Sequence, residues 1–355
     1  MPTTTPALSD FDGLLAWPAL HDWTQAQSGL PGRGPVTAVT ALKGGSQNAL
    51  FLMEREGGRF VLRRPPRHLR ANSNDTMLRE ARVLAALRGS EVPHPDMLAA
   101  CADTGVIGAA FYAMTPLDGY TPLGALPGRY ATDASWRRAM GLETVRAAAA
   151  LGRVDVQAAG LADFGKPAQW IERQVNRWRS QLDGYRAMDG YGGNPLPHVD
   201  AVADWLERHR PAAAQIGVIH GDLQFANVMF RHDEPKLAGL IDWELSSLGD
   251  PLLDLGWILT SWSEPDDPVV EGRTPAVQPW AGFPSRAELV RHYGEVSGRD
   301  MADMPWFFVL ACFKLACLLE GTYARACAGK APMEMGRFLH NYAVWLLELA
   351  RKNTA

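Results

Sequence analysis

Apolar residues alternate in short runs through the first third of the chain and recur at helical spacing through most of the rest. Val36–Leu42, Ala49–Glu54 and Phe60–Arg63 read as three strands of an antiparallel meander, with turns at Lys43-Gly-Gly-Ser-Gln-Asn48 and Glu56-Gly-Gly-Arg59. Thr76–Arg88 reads as a helix behind the caps of Asn72–Asp75, because Met77, Glu80, Leu84 and Leu87 share one stripe. Met97–Ala102 and Phe111–Met114 add two more strands. Ahead of the meander, residues 1–10 read as disordered and Leu14–Gln27 as a short amphipathic helix ended by LPGRGP. Later helices are predicted at Ser135–Leu151, Pro167–Tyr185, Pro305–Tyr323 and Met333–Arg351, and one starts at Asp250-Pro251. In the second of these, Trp170, Ile171, Val175 and Trp178 form a stripe that reads as core or as the wall of a substrate site. The pattern predicts an α+β protein: a small antiparallel β lobe in residues 1–115 and a larger, mainly helical lobe in residues 116–355.

One stretch breaks both rhythms. Between Ile216 and Leu255, the apolar runs Ile216–Ile219 and Leu237–Ile241 each end in a polar cluster, and Val228–Phe230 forms a short strand between them. The first run delivers His220, Gly221, Asp222 and then Asn227; the second delivers Asp242 and Glu244. Phosphoryl transfer from a nucleotide needs a carboxylate beside the acceptor hydroxyl and oxygen ligands for Mg²⁺. Asp222 suits the first role, and Asn227 and Asp242 the second. Such residues also form ordinary turns, but six of them in order at the ends of two apolar strands argue for chemistry. Upstream, the Gly44-Gly45-Ser46 turn with Asn48 is able to lay backbone N–H groups over phosphate oxygens, although a plain hairpin would look the same. No Walker A loop occurs. Glu80 is the single charge on its helical stripe and needs a partner, and Arg63 at the end of the third strand is the natural one.

The H-G-D-x-x-x-x-N and I-D-W-E pattern resembles the aminoglycoside-phosphotransferase and choline-kinase-like branch of the protein-kinase-like fold, with Gly221 where protein kinases carry Arg. The runs FVLRRPP, MLREARVLAAL, VIGAAFYAM and QWIERQVNRW are most similar to the kinase domains related to acyl-CoA dehydrogenase family members 10 and 11. The resemblance spans roughly Lys43 to Tyr323. It implies a two-lobe kinase that uses ATP and Mg²⁺ to phosphorylate a small-molecule hydroxyl, with hydroxyacyl groups on coenzyme A as the acceptor class. In its terms Asp222, Asn227 and Asp242 are catalytic, and Asn227 and Asp242 hold the metal. Gly44, Gly45, Ser46, Asn48, Val61, Arg63, Glu80 and Met114 bind the nucleotide; Val61 covers adenine and Met114 belongs to the hinge. Asp254 is expected to tie its helix to the catalytic loop. The chain departs from its relatives twice. Arg63 replaces the usual Lys, and Gly152 stands where they carry His, a change expected to loosen packing on the catalytic loop.

Composition narrows the partners. The chain has 355 residues, 47% hydrophobic and 21% charged, with a net charge of −4, which gives no reason to expect a nucleic-acid partner. Cys101, Cys312, Cys317 and Cys327 are scattered among apolar residues and read as buried thiols of a reducing compartment. MPTTTPALSDFDG does not resemble a signal peptide and no stretch reads as membrane-spanning, so a cytoplasmic protein without a membrane partner is expected. Ser263–Pro279 is a Pro- and acid-rich loop, a candidate lid over the acceptor. The basic loop of Arg64, Arg67 and Arg70 offers itself to an anionic ligand, and Trp257 and Trp262 to an acyl chain. Two other functions compete. One is an antibiotic phosphotransferase acting on aminoglycosides or macrolides; a polycationic aminoglycoside would want a markedly acidic C-terminal lobe, yet residues 261–355 hold eleven Asp/Glu against ten Lys/Arg. A catalytically silent nucleotide-binding protein would lack a base or a metal ligand, and here none is missing.

Overall fold

A computed structural model describes residues 11–42, 48–193, 196–268 and 275–354. The Lys43–Gln47 part of the glycine turn, the expected disorder at residues 1–10 and the middle of the expected lid lie outside them. The chain divides into two compact units: Met1–Gly119 with Ala238–Ser246, and Tyr120–Leu237 with Ser247–Ala355.

In the first unit, α1 (Ala19–Ala26) precedes β1 (Arg33–Leu42), β2 (Ala49–Glu56) and β3 (Gly58–Arg64). Then come α2 (Ser73–Ala86), β4 (Met97–Cys101) and β5 (Phe111–Met114). The strands make one antiparallel sheet in the order β1-β2-β3-β5-β4. Gly57, at a left-handed φ of 73°, allows the tight turn between β2 and β3. Alternation then sorts the strands' side chains. Phe51, Met53, Phe60, Leu62, Phe111 and Ala113 bury into one core cluster with Leu15 and Leu20. Val61 and Arg63 point to the other face, where Glu80 of α2 meets Arg63.

The second unit opens with β6 (Gly124–Ala125), α3 (Gly128–Thr132), α4 (Ala134–Gly152), α5 (Trp170–Gly184) and α6 (Val199–Arg208). Next are β7 (Gly217–Ile219) and β8 (Val228–Phe230), after which β9 (Leu237–Leu240) carries the chain back into the first unit. The chain returns at β10 (Ser247–Gly249) and continues through α7 (Leu252–Ser261), β11 (Val277–Gln278), α8 (Arg286–Ser297), α9 (Met304–Cys327) and α10 (Met333–Lys352). β10 pairs antiparallel with β7, Leu248 opposite Val218, so the strand leading into the His-Gly-Asp turn is held from the side.

Several expectations change here. α9 is 24 residues of mean hydropathy 1.6, long and apolar enough by composition to cross a membrane, contrary to the reading of the sequence; 72% of its apolar window is buried inside the protein, as in a core helix. Trp170, Ile171, Val175 and Trp178 are all buried. Trp262 packs within 5.1–5.6 Å of Phe225, Trp280 and Phe283, so it fills core and does not line an open channel. Arg64 donates to the carbonyls of Leu14, Ile107 and Pro65, and Arg67 to that of Asp12; both are committed to the fold. Around the expected lid, β11 pairs parallel with β6, and Trp280 Nε1 donates to the Ser263 carbonyl at 3.0 Å. All four cysteines are free thiols, three of them buried.

Gly152 does not loosen its surroundings. A Cβ placed there would lie 2.7 Å from Cβ of Pro251 and 3.3 Å from the Tyr293 hydroxyl, and one on Gly217 would lie 2.9 Å from Cγ of Pro251. The proline ring fills the space that a side chain at residue 152 would need.

Candidate active site

The candidate residues form two clusters, one in each unit. In the second unit, the buried β7 ends at His220, and Gly221 turns the chain at a φ of 84°. Asp254, in the first turn of α7, accepts from the amides of His220 at 2.7 Å and of Gly221 at 2.9 Å. Burial pushes its carboxyl up, while His220 and the two amides pull it down. Asp254 therefore ties α7 to the loop, as its position suggested.

The loop presents Asp222 half-buried and held on both oxygens. Trp257 Nε1 and Gln224 Nε2 each donate to Oδ1 at 2.9 Å, and Asn227 Nδ2 donates to Oδ2 at 2.8 Å. Three N–H donors fix the orientation of the side chain. Asn227 Nδ2 also donates to the Asp222 carbonyl at 2.8 Å. With its nitrogen so occupied, the Asn227 side-chain oxygen has no donor among the described residues and is available as a hard ligand.

Lys314 completes this cluster from α9. It is buried at 8% exposure and donates to the Gly221 carbonyl at 3.4 Å. Its ammonium lies 4.4 Å from the ring centre of Trp257 and 5.5 Å from that of Trp178.

In the first unit, Arg63 is the pivot. Its Nε lies 2.8 Å from Glu80 Oε2 and its Nη2 2.9 Å from Asp242 Oδ1. The Tyr112 hydroxyl donates to the same Glu80 oxygen at 3.0 Å. Burial works against the charge of Arg63, but Tyr112, Glu80 and Asp242 outweigh it and hold the guanidinium protonated. Asp242 has a left-handed φ of 64°, uncommon for a residue with a side chain and typical of sites where geometry is imposed. Its second oxygen has no donor among the described residues, and its side chain keeps 39% exposure. Asn227 and Asp242 thus each keep a hard oxygen acceptor, which fits Mg²⁺. Val61 and Met114 are register partners on β3 and β5, one pair away from Leu62 and Ala113, and both are buried. Asn48 is half-buried ahead of β2, while Gly44, Gly45 and Ser46 lie outside the described residues.

The sequence reading missed the tryptophan's grip on Asp222 and the lysine below the loop. A signal existed for the first. Asp254 and Trp257 are three residues apart on one helix, so when one reaches the loop the other is on the same face. Lys314 sits on a helix apolar all round, which leaves its direction unreadable.

Comparison with known proteins places these clusters in context. The sequence profile of the phosphotransferase enzyme family, APH, matches residues 38–289. Acyl-CoA dehydrogenase family member 10 of Mus musculus is 29% identical over 88% of this chain, and family member 11 of Gallus gallus 29% identical over 89%. The chain spans only 29% and 40% of the length of those two relatives. A crystal structure from Ralstonia eutropha, provisionally described as an aminoglycoside phosphotransferase, is 32% identical with a TM-score of 0.77, covering 94% of this chain and 98% of that one.

Proposed function

The chain belongs to the phosphotransferase enzyme family, and from that premise we propose that it transfers the γ-phosphate of ATP to a hydroxyl group of a small molecule. The observation that carries the reading is Asp222, a carboxylate held by three N–H donors five residues before Asn227. Asp222 accepts the proton of the acceptor hydroxyl as its oxygen bonds to the γ-phosphorus. The bond from that phosphorus to the β-bridging oxygen breaks, and ADP leaves with the electron pair. Asn227 and Asp242 are the residues that would hold Mg²⁺, which would neutralise charge on the phosphate oxygens. Arg63, kept charged and oriented by Glu80, binds phosphate. Gly44, Gly45, Ser46 and Asn48 bind phosphate oxygens, and Val61 and Met114 give the base an apolar seat.

For the acceptor, a hydroxyacyl group on coenzyme A is the finer reading. Its support is the similarity to acyl-CoA dehydrogenase family members 10 and 11 and the near-balance of charge over residues 261–355. Arg64, Arg67 and Trp262 add nothing to it, since the fold uses them. A second reading, an aminoglycoside acceptor, is favoured by the description of the Ralstonia eutropha structure. ATP consumption measured across hydroxylated acceptors separates the two: turnover is expected with hydroxyacyl-CoA thioesters and not with kanamycin-like amines. Asp222→Asn should keep nucleotide binding and lower turnover by about 10²–10⁴. Near-normal turnover in that variant would remove Asp222 from the role of base.

A further inference from the structure

Lys314 is a buried cation in the second unit. An ammonium buried to 8% exposure needs compensation for lost water. Lysine carries three N–H donors. Among the described residues a single one has a protein acceptor, the Gly221 carbonyl, at a long 3.4 Å. No carboxylate lies within ion-pair distance among the described residues; Asp254 and Asp222 attract the charge from farther away, and the indole faces of Trp257 and Trp178 lie against it. A lysine serving only to anchor the loop would be expected to spend its donors on loop carbonyls, as Arg64 does on three.

The surroundings link the ammonium to the proposed base. Trp257 holds Asp222 through its indole N–H at 2.9 Å and presents its ring face to Lys314. The ammonium and the proposed base are thus fastened to the same indole. Asp222 lies on the loop where an acceptor hydroxyl has to be presented, and Lys314 reaches that loop from α9, at the Gly221 carbonyl.

We infer that Lys314 determines acceptor specificity: its free N–H donors take an oxygen of a carboxylate or thioester carbonyl carried on the same molecule as the reacting hydroxyl. This rests on the phosphotransferase reading and narrows it to hydroxy acids and their acyl derivatives. A buried cation at this position disfavours acceptors that bring amines of their own charge. The indole faces keep the ammonium in place without consuming its donors.

The test compares three probes: β-hydroxybutyrate, its coenzyme A thioester, and an uncharged butanediol. In the full chain with Mg·ATP, kcat/KM for the oxygen-bearing probes relative to butanediol should fall by about tenfold or more in Lys314→Met. Lys314→Arg should restore part of that preference. A purely structural lysine would depress all three probes together and leave the ratio unchanged, which overturns the inference. Preference for the free acid identifies a carboxylate as the partner, and preference for the thioester identifies the carbonyl. If no probe is phosphorylated, binding is read directly from tryptophan fluorescence, since Trp178 and Trp257 flank the ammonium. Saturable binding of an oxygen-bearing probe that weakens about tenfold in Lys314→Met then supports the inference even as the transfer reading fails. Absence of binding, or equal binding in the variant, overturns it. Circular dichroism of each variant separates misfolding from lost recognition.

Discussion

Arg63 shows what a single change of cation does to a cluster. A lysine at this position would offer one compact charge, whereas the planar fork of arginine meets Glu80 through Nε and Asp242 through Nη2. The proposed metal ligand is therefore oriented by the residue proposed to bind phosphate. Glu80 is 1% exposed, so removing the guanidinium strands a buried carboxylate with Tyr112 as its remaining partner among the described residues. Arg63→Met is expected to cost about 3–5 kcal/mol in denaturant unfolding, and adding Glu80→Gln to recover much of it. A cost below about 1 kcal/mol would mean that the pair contributes little to the fold. The pairing of Arg63 with Glu80 was legible because one charge on an apolar stripe demands an opposite one. Asp242, 179 residues away in sequence from Arg63, was legible only as a candidate ligand, because no local pattern says which strand end it will meet.

At the scale of elements, α7 and the loop it serves act as one piece. Asp254 fixes two loop amides, Trp257 fixes the carboxylate, and Asp250 caps the first turn through the Leu252 amide while pairing with Arg299. Pro251, between them, is pressed against Gly152 and Gly217. Gly152→Ala should therefore destabilise by about 1–3 kcal/mol, seen as a lowered Tm, because a methyl at 2.7 Å from the proline forces α4 and α7 apart. An unchanged Tm would show that the helix ends have room to yield. The helices themselves were readable from periodicity, with α4 and α10 within a residue or so of their expected spans. The packing was not, since a glycine in the sequence gives no sign of whether its empty side is open or filled. For the same reason the tryptophans and the arginines of the 64–70 loop suggested ligand contacts, and most of them turned out to be spent on core and carbonyls.

Over the whole molecule, buried charge sets a dependence on pH. Burial pushes the Lys314 ammonium down from 10.5 to about 8, Asp254 and Asp222 oppose that, and Arg177 adds to it. The folded chain thus releases this proton before the unfolded chain does. Between about pH 8 and pH 10.5, unfolding takes up a proton, so raising the pH favours the folded state, by up to about 3 kcal/mol. Below that window the penalty is constant. Measured at about pH 7 and about pH 10, unfolding free energy should rise for the natural chain relative to Lys314→Met, and a difference independent of pH would contradict the shift. The division into units has a consequence in time. Ala238–Ser246 belongs to the first unit, where the Leu240 amide donates to the Pro93 carbonyl at 2.9 Å and Arg79 donates to that of Ser246. A ribosome releases the chain from its N-terminus, so the sheet and α2 emerge long before the segment that completes them. Until translation has passed Ser246, Arg63 and Glu80 are without Asp242, and the nascent first unit must wait for the middle of the message to be read.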